Sequence, residues 1–174
     1  ADYLYQRTAV SKVTSKKSLL LFPPAEIDKE TMRVLVDSLG TETALPVLVK
    51  IAWVQGKKDI YYYDGRIMTK HYAELDALLE DKDILNTIAT VTRSDSKLYP
   101  RPTQYSKLRN IPFRFSMDEI LGAVARMQND EAYQDIGVVT ASNGQSALFS
   151  EKFMSRRYAQ SLIEEIEVEG PANP

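Results

Sequence analysis

Apolar residues recur every three to four positions in four stretches of the chain, which is the spacing of a helix with one buried face. These stretches are residues 27–39, 69–81, 116–128 and 150–167. Thr69 and Ser116 stand where an N-terminal cap is expected, and Gly40 stands where a helix can end. The pattern therefore predicts four helices. We expect the last one to stop near Glu164, because the acids that follow would oppose the helix dipole.

Other stretches are rich in β-branched and aromatic residues, which is typical of strands. Residues 3–22 predict two strands joined by a short turn, and residues 84–93 predict one more. Residues 45–65 and 136–149 each predict a hairpin, the second around an Asn-Gly turn. Residues 94–112 contain three prolines and predict a long irregular connection.

The two halves of the chain resemble each other at an offset of 86 positions. The matching pairs include Met68 with Met154, Tyr72 with Tyr158, and Ala73 with Ala159. The predicted hairpins coincide at the same offset, and so do the helices that follow them. We therefore predict an α+β fold, a mostly antiparallel sheet covered by helices, in two pseudo-equivalent β-β-α-β-β-α halves of about 1–87 and 88–174. Shared architecture without a duplicated ancestor is the alternative explanation.

A hairpin with one helix cannot bury both of its apolar faces alone, so neighbouring units are expected to pack together. We accordingly predict a single globular domain, 1–174, with a flexible tail at 170–174. Tyr72 and Tyr158 each follow a methionine by four positions and would share its helix face. Both tyrosines are therefore predicted to lie in the core, where replacement by alanine would lower stability by about 3–5 kcal/mol.

The composition narrows the classes of function. A net charge of −2 gives the chain no general attraction to nucleic acid or acidic membranes. The absence of cysteine excludes disulfides, thiolate metal sites and a thiol nucleophile. There is no run of 18 apolar residues, so we predict no transmembrane segment.

The compartment is not determined by these features. The chain starts with alanine, which fits either a trimmed initiator methionine or a removed signal peptide. The lack of cysteine is compatible with the cytoplasm, which we favour slightly over an exported mature chain.

The sequence shows no recognisable catalytic motif. Its one histidine, His71, lies on a predicted helix and has no cysteine neighbours, which makes it a poor metal site. Acids cluster at 78–83, 129–135 and 164–169, but without the spacing of a metal loop, and the first cluster is interpreted as a solvated helix end. We predict no metal and no cofactor, and we lean against an enzyme.

The most unusual segment runs from Arg93 to Arg114, where six basic residues accompany a single acid, Asp95. Aromatic residues are interleaved with them. The candidate binding residues are Arg93, Lys97, Tyr99, Arg101, Tyr105, Lys107 and Arg109. Such a segment can bind phosphates and stack on bases, or it can bind a protein through its arginines and tyrosines. It can also be a plain connector whose cations stay in water.

Three functional hypotheses follow. The first is a non-catalytic protein–protein interaction or assembly module, with a protein partner or a second copy of the chain as its ligand. The second is binding of nucleic acid or a phosphorylated ligand through residues 93–114. The third is an enzyme whose site is assembled from scattered acids and tyrosines.

Overall fold

The chain divides into two units, each with its own three-stranded antiparallel sheet and its own helices. The computed structural model describes residues 1–39 and 46–170. The units are Ala1–Asp83 and Ile84–Pro174. This mixture of helices with antiparallel sheets confirms the predicted α+β class.

The first unit, unit 1, is built around a short sheet with the strand order β1-β3-β2. Its elements are α1 Asp2–Ala9, β1 Thr14–Ser15, α2 Lys16–Leu21, α3 Lys29–Ser38, β2 Ile51–Gln55, β3 Ile60–Asp64 and α4 Lys70–Glu80, with a 3-10 turn at Pro46–Leu48. Strand β3 is buried on both faces. Tyr62 packs among residues of α1, α2 and α3, whereas Tyr61 and Tyr63 pack on the side of Met68 and α4.

The second unit, unit 2, has the strand order β4-β6-β5. Its elements are α5 Ile84–Leu98, β4 Thr103–Gln104, α6 Tyr105–Arg109, α7 Met117–Met127, β5 Ile136–Thr140, β6 Ser146–Ser150 and α8 Arg156–Glu164, with a 3-10 turn at Glu131–Tyr133 and a π-helical turn at Glu165–Glu169. One face of its sheet carries a cluster that includes Val139, Phe149 and Ile163.

Each unit therefore has the element order α-β-α-α-β-β-α, which corrects the predicted order β-β-α-β-β-α. The short strands also share a register, since Thr14 lies opposite Tyr62 and Thr103 lies opposite Leu148. A duplicated ancestor and a single domain over 1–174 both stay predictions.

Two stretches that resemble strands are helical instead. In residues 3–22 only Thr14 and Ser15 form a strand, flanked by α1 and α2. Residues 84–93 form the start of α5, where buried positions such as Ile88, Val91 and Thr92 follow a helical spacing. Burial of one helical face has overridden the weak strand preference of β-branched residues. The supposed irregular segment 94–112 contains the end of α5, then β4 and α6.

The helices with clear caps are confirmed. Thr69 caps α4 by accepting from the backbone N–H of Tyr72, and Ser116 forms a capping box with Glu119 at the start of α7. Both predicted hairpins are present, and Gly144 provides the positive φ of +86° that the second turn requires. The predicted stop at Gly40 and nearly all of the predicted flexible tail lie outside the described residues.

The repeated methionines and tyrosines have different positions from those predicted. Met68 and Met154 precede the caps of α4 and α8, and they pack in clusters that contain Ala73 and Ala159. This is the hydrophobic staple between the residue before the cap and the fourth helical residue. Tyr72 and Tyr158 are 37% and 49% exposed. Their predicted core role is wrong, because at the third helical position they point away from the staple.

Candidate protein-binding surface

Helix α5 places the first basic residues of the 93–114 segment at the edge of unit 2. Arg93 is half-buried and donates to Asp135, from Nε to Oδ2 at 3.0 Å and from Nη2 to Oδ1 at 2.5 Å. It also donates to the carbonyl of Ala132 at 2.8 Å. Arg93 therefore joins α5 to the turn before β5 and has a structural role.

Asp135 has a side chain that is only 7% exposed and that is held by several donors. Besides Arg93, it accepts from the hydroxyl of Ser150 at 2.7 Å, and the ammonium of Lys152 lies 3.4 Å away. Hydrogen bonds from Arg93 hold the pKa of Asp135 well below its usual range. The carboxylate is therefore charged over the whole physiological range and acts as a fixed anchor.

Two further candidates are also parts of the fold. Lys107 donates to Asp95 at 2.7 and 2.8 Å, and the buried hydroxyl of Thr103 donates to the same carboxylate at 2.8 Å. Tyr105 is buried, and burial raises the pKa of its phenol. The lone acid of the segment thus neutralises Lys107 and fastens α5 to β4 and α6.

Three of the other candidates, Lys97, Tyr99 and Arg101, lie in solvent at the C-terminal end of α5 or just after it. Tyr99 is 61% exposed, and the guanidinium carbon of Arg101 lies 5.3 Å from its ring centroid. The ammonium of Lys97 lies 5.7 Å from the ring centroid of Phe153, which is 45% exposed. Leu98, which lies between Lys97 and Tyr99 in the chain, is exposed as well. We call Lys97, Leu98, Tyr99, Arg101 and Phe153 the Tyr99 surface.

The cations of the Tyr99 surface are available for a ligand. Within the described part of the chain, neither Lys97 nor Arg101 forms an ion pair with an acid. Glu151, two positions before Phe153 in the chain, pairs with Arg156 at 3.6 Å and not with either of these cations. Arg109 is also exposed and unpaired among the described residues, but it lies at the end of α6, outside the defined surface.

Phe153 and Asp135 were missed by reasoning from the sequence. Phe153 lies 56 positions after Lys97, in the connection between β6 and α8, where no local pattern marks it. Asp135 belongs to an acidic cluster that resembles a surface loop. Only the folded sheet brings these residues beside α5.

The remaining titratable groups do not converge on one site. His71 lies on the exposed side of α4, and the described residues contain no group of three or more metal-ligating side chains. Asp81 corrects the interpretation of 78–83 as solvated, because it is buried and accepts from the N–H of Lys57 and the hydroxyl of Tyr61, both at 2.6 Å. It holds the β2–β3 turn in place.

Comparison with known proteins relates this chain to one family. A family model described as the YdhW C-terminal domain matches residues 82–171. Protein YdhW of Escherichia coli (strain K12) is 32% identical over 174 residues, which are 100% of this chain and 79% of that protein. No solved structure matches.

Proposed function

The chain belongs to the YdhW family, and we propose that it is a non-catalytic protein-interaction module whose Tyr99 surface binds an acidic segment of a partner protein. The observation that carries the proposal is the exposure of two aromatic rings, each beside a cation that no described acid neutralises. No described helix has the length and apolar character to cross a membrane.

The chemistry of the surface supports a protein ligand. Arginine and aromatic side chains contribute a large share of the binding energy at protein interfaces, because they combine apolar area with directed polar contacts. Two unpaired cations favour an acidic partner, whose carboxylates would replace the water around Lys97 and Arg101. Leu98 and Phe153 would cover its apolar side chains.

Nucleic acid is less well supported as the ligand. Strong binding to a phosphate backbone needs many neutralising contacts, and Arg93 and Lys107 are already paired with Asp135 and Asp95. The exposed rings of Tyr99 and Phe153 can stack on bases, so single-stranded DNA is included in the test below.

Catalysis by scattered acids is also less well supported. The buried carboxylates of Asp64, Asp76, Asp81, Asp95 and Asp135 each accept hydrogen bonds from groups in their own unit. These acids are therefore committed to holding turns and helices.

We also infer that the two units descend from one duplicated segment. Support comes from their common element order, the shared register of β1 and β4, and matching caps at Thr69 and Ser155, each of which accepts a backbone N–H at 3.3 Å.

The test measures fluorescence anisotropy of labelled twelve-residue peptides with the full chain. One peptide carries glutamate and phenylalanine, a second carries lysine and phenylalanine, and a dT oligonucleotide is the third probe. We expect the acidic peptide to bind most tightly, with an affinity that falls as salt is added. The double variant K97Q/R101Q should lose at least tenfold in affinity.

The matched control is R109Q/R126Q, which removes the same charge from two other exposed arginines of unit 2. It should bind the acidic peptide within twofold of wild type. Equal binding by K97Q/R101Q and wild type would contradict the proposal. Tighter binding of the oligonucleotide would support the nucleic-acid hypothesis instead, and self-association detected by light scattering would identify a second copy as the partner.

A further inference from the structure

Helix α7 of unit 2 has an exposed face that the proposed function does not use. Its inner face carries the buried residues Ile120, Ala123, Val124 and Met127. The residues on the opposite side are all exposed, and we call them the α7 face: Asp118, Leu121, Gly122, Ala125 and Arg126. Leu121 is 50% exposed. The α7 face therefore combines an apolar side chain, a glycine and two opposite charges in solvent.

Gly122 lies in the middle of the α7 face, and nothing in its own unit requires a glycine there. A Cβ atom added at Gly122 would meet no atom of the described residues within 4 Å, and the backbone at Gly122 does not have a positive φ. Glycine in the interior of a helix is less favourable than alanine. What it offers at an exposed position is room for the close approach of another backbone. Gly122 therefore suits a contact with a second molecule.

Two opposite charges flank Gly122 at equal spacing. Asp118 lies four positions before Gly122, and Arg126 lies four positions after it. At about 1.5 Å per residue, Asp118 and Arg126 are attached about 12 Å apart along the helix, which is too far for them to pair with each other. Neither forms an ion pair within the described part of the chain, although Nε of Arg126 donates to the carbonyl of Gly122 at 3.3 Å. Both charges are therefore available to a partner.

We propose that the α7 face binds the α7 face of a second copy of this chain, with the two helices antiparallel about a twofold axis at Gly122. A twofold contact pairs residue i with residue j and residue j with residue i. Asp118 of each copy then lies at the height of Arg126 of the other, which gives two ion pairs by symmetry. The equal spacing of the opposite charges about Gly122 is what favours a second copy over an unrelated partner.

The apolar part of the α7 face also fits this arrangement. The two Gly122 backbones lie where the helices approach most closely, and Leu121, one position away, meets its own copy across the axis. The contact joins helices of 11 residues. Specific interfaces of standard size bury about 1,200–2,000 Å², and a contact between two such helices belongs to the smaller, transient class. We therefore expect a dimer that forms at high concentration.

The experiment measures self-association of the full chain by analytical ultracentrifugation at concentrations up to about 1 mM. D118R and R126D should each weaken self-association about tenfold or more, because each places like charges opposite one another at both ends of the contact. An equimolar mixture of the two variants should associate as tightly as wild type. In the mixed dimer one ion pair joins the two introduced residues and the other joins the two natural ones.

A cross-linking test locates the axis without changing a charge. The chain has no cysteine, so G122C introduces a single thiol at the proposed axis. Oxidised glutathione should convert G122C to a disulfide-linked dimer. The matched control is S161C, which places a thiol on the exposed side of α8 in the same unit. It should form the linked dimer about tenfold more slowly or less, since α8 lies outside the proposed contact.

Two variants distinguish this contact from the Tyr99 surface. K97Q/R101Q keeps the α7 face intact and should self-associate like wild type, whereas self-association through the Tyr99 surface would be lost in it. R109Q/R126Q removes one member of each proposed ion pair, so it should self-associate more weakly while its affinity for the acidic peptide stays within twofold of wild type. The two proposals can therefore fail independently.

Four results would each overturn the proposal. The first is a wild-type chain that stays monomeric over the whole concentration range. The second is self-association of D118R and R126D with wild-type affinity. The third is a mixture of these variants that associates no more tightly than either does alone. The fourth is loss of self-association in K97Q/R101Q.

Discussion

At the scale of single residues, the chain uses its buried acids as anchors for backbone and cations from distant segments. Asp76 accepts from the N–H of Val13 at 2.8 Å, and Asp64 accepts from Arg66, which follows it in the β3–α4 turn. Hydrogen bonds from Arg66 lower the pKa of Asp64, just as those from Arg93 lower the pKa of Asp135. Asp64 in unit 1 and Asp135 in unit 2 therefore stabilise the folded state when they are charged.

Replacing Asp135 with asparagine should remove part of the acid sensitivity of unit 2. The folded-state pKa of Asp135 lies below its unfolded value of about 3.9, so its contribution to stability is complete above that value and is lost as pH falls through the folded pKa. At neutral pH we expect D135N to lower the free energy of unfolding by about 3 kcal/mol, because Arg93 loses its partner. Urea unfolding from neutral pH to about pH 2 measures the difference between the two proteins, which should narrow at the acid end.

The control for this prediction is E151Q, which alters an exposed acid paired with Arg156. An exposed pair of this kind contributes about 0–1 kcal/mol. A constant stability gap between wild type and D135N down to the lowest pH would contradict the role given to Asp135.

At the scale of elements, the residues that the two halves share form the N-terminal ends of α4 and α8. Met, a Ser or Thr cap, and Ala at the fourth helical position fix the entry of the chain into α4 and again into α8. The matched tyrosines occupy the same turn but face solvent. Sequence similarity therefore identified the element and the buried methionine correctly, and it wrongly placed the matched tyrosine in the core as well.

M154A should destabilise the protein far more than Y158A. Met154 is buried in the cluster around α8, so its truncation leaves a cavity and should lower the free energy of unfolding by about 2–4 kcal/mol. Y158A truncates a half-exposed ring, and we expect a change below about 1 kcal/mol. Chemical denaturation compares the two variants, with M68A and Y72A as the equivalent pair in unit 1. A larger loss in Y158A than in M154A would restore the core assignment of the tyrosines.

At the scale of the whole molecule, each buried cluster described here draws its residues from one unit. The two clusters of unit 1 cover opposite faces of β3, and the cluster of unit 2 joins β5 and β6 to α8. The similarity to the E. coli relative covers all of the chain at 32% identity, and it covers 79% of the length of that relative. The family model that matches residues 82–171 begins at almost the same place as unit 2.

Hydrogen exchange of the full chain should show that the units lose protection separately. M32A removes a buried side chain of unit 1 and should reduce amide protection in β2 and β3 more than in β5 and β6. M154A should have the opposite effect. Equal loss of protection in all four strands, for both variants, would show that the chain unfolds as one cooperative body and would favour the prediction of a single domain.

The success of the sequence-based predictions depended on how local the deciding interactions are. Helix α7 was predicted correctly because Ser116, Glu119 and a regular apolar stripe all lie within its own 11 residues or next to them. The second hairpin followed from its Asn-Gly turn. Helix α5 was predicted as a strand because Ile, Val and Thr favour strands locally, and only burial of its Ile88 face against the rest of unit 2 makes it helical.

By itself the sequence determined the fold class, the capped helices and the two hairpins, because side-chain spacing, caps and turn residues act between neighbours in the chain. The tertiary structure decided which of the basic residues are free, since Asp135 lies 42 positions from Arg93 and no local rule pairs them. It also decided that Tyr99 and Phe153 meet solvent beside unpaired cations. These features depend on contacts between distant segments, which exist only once the sheets have formed.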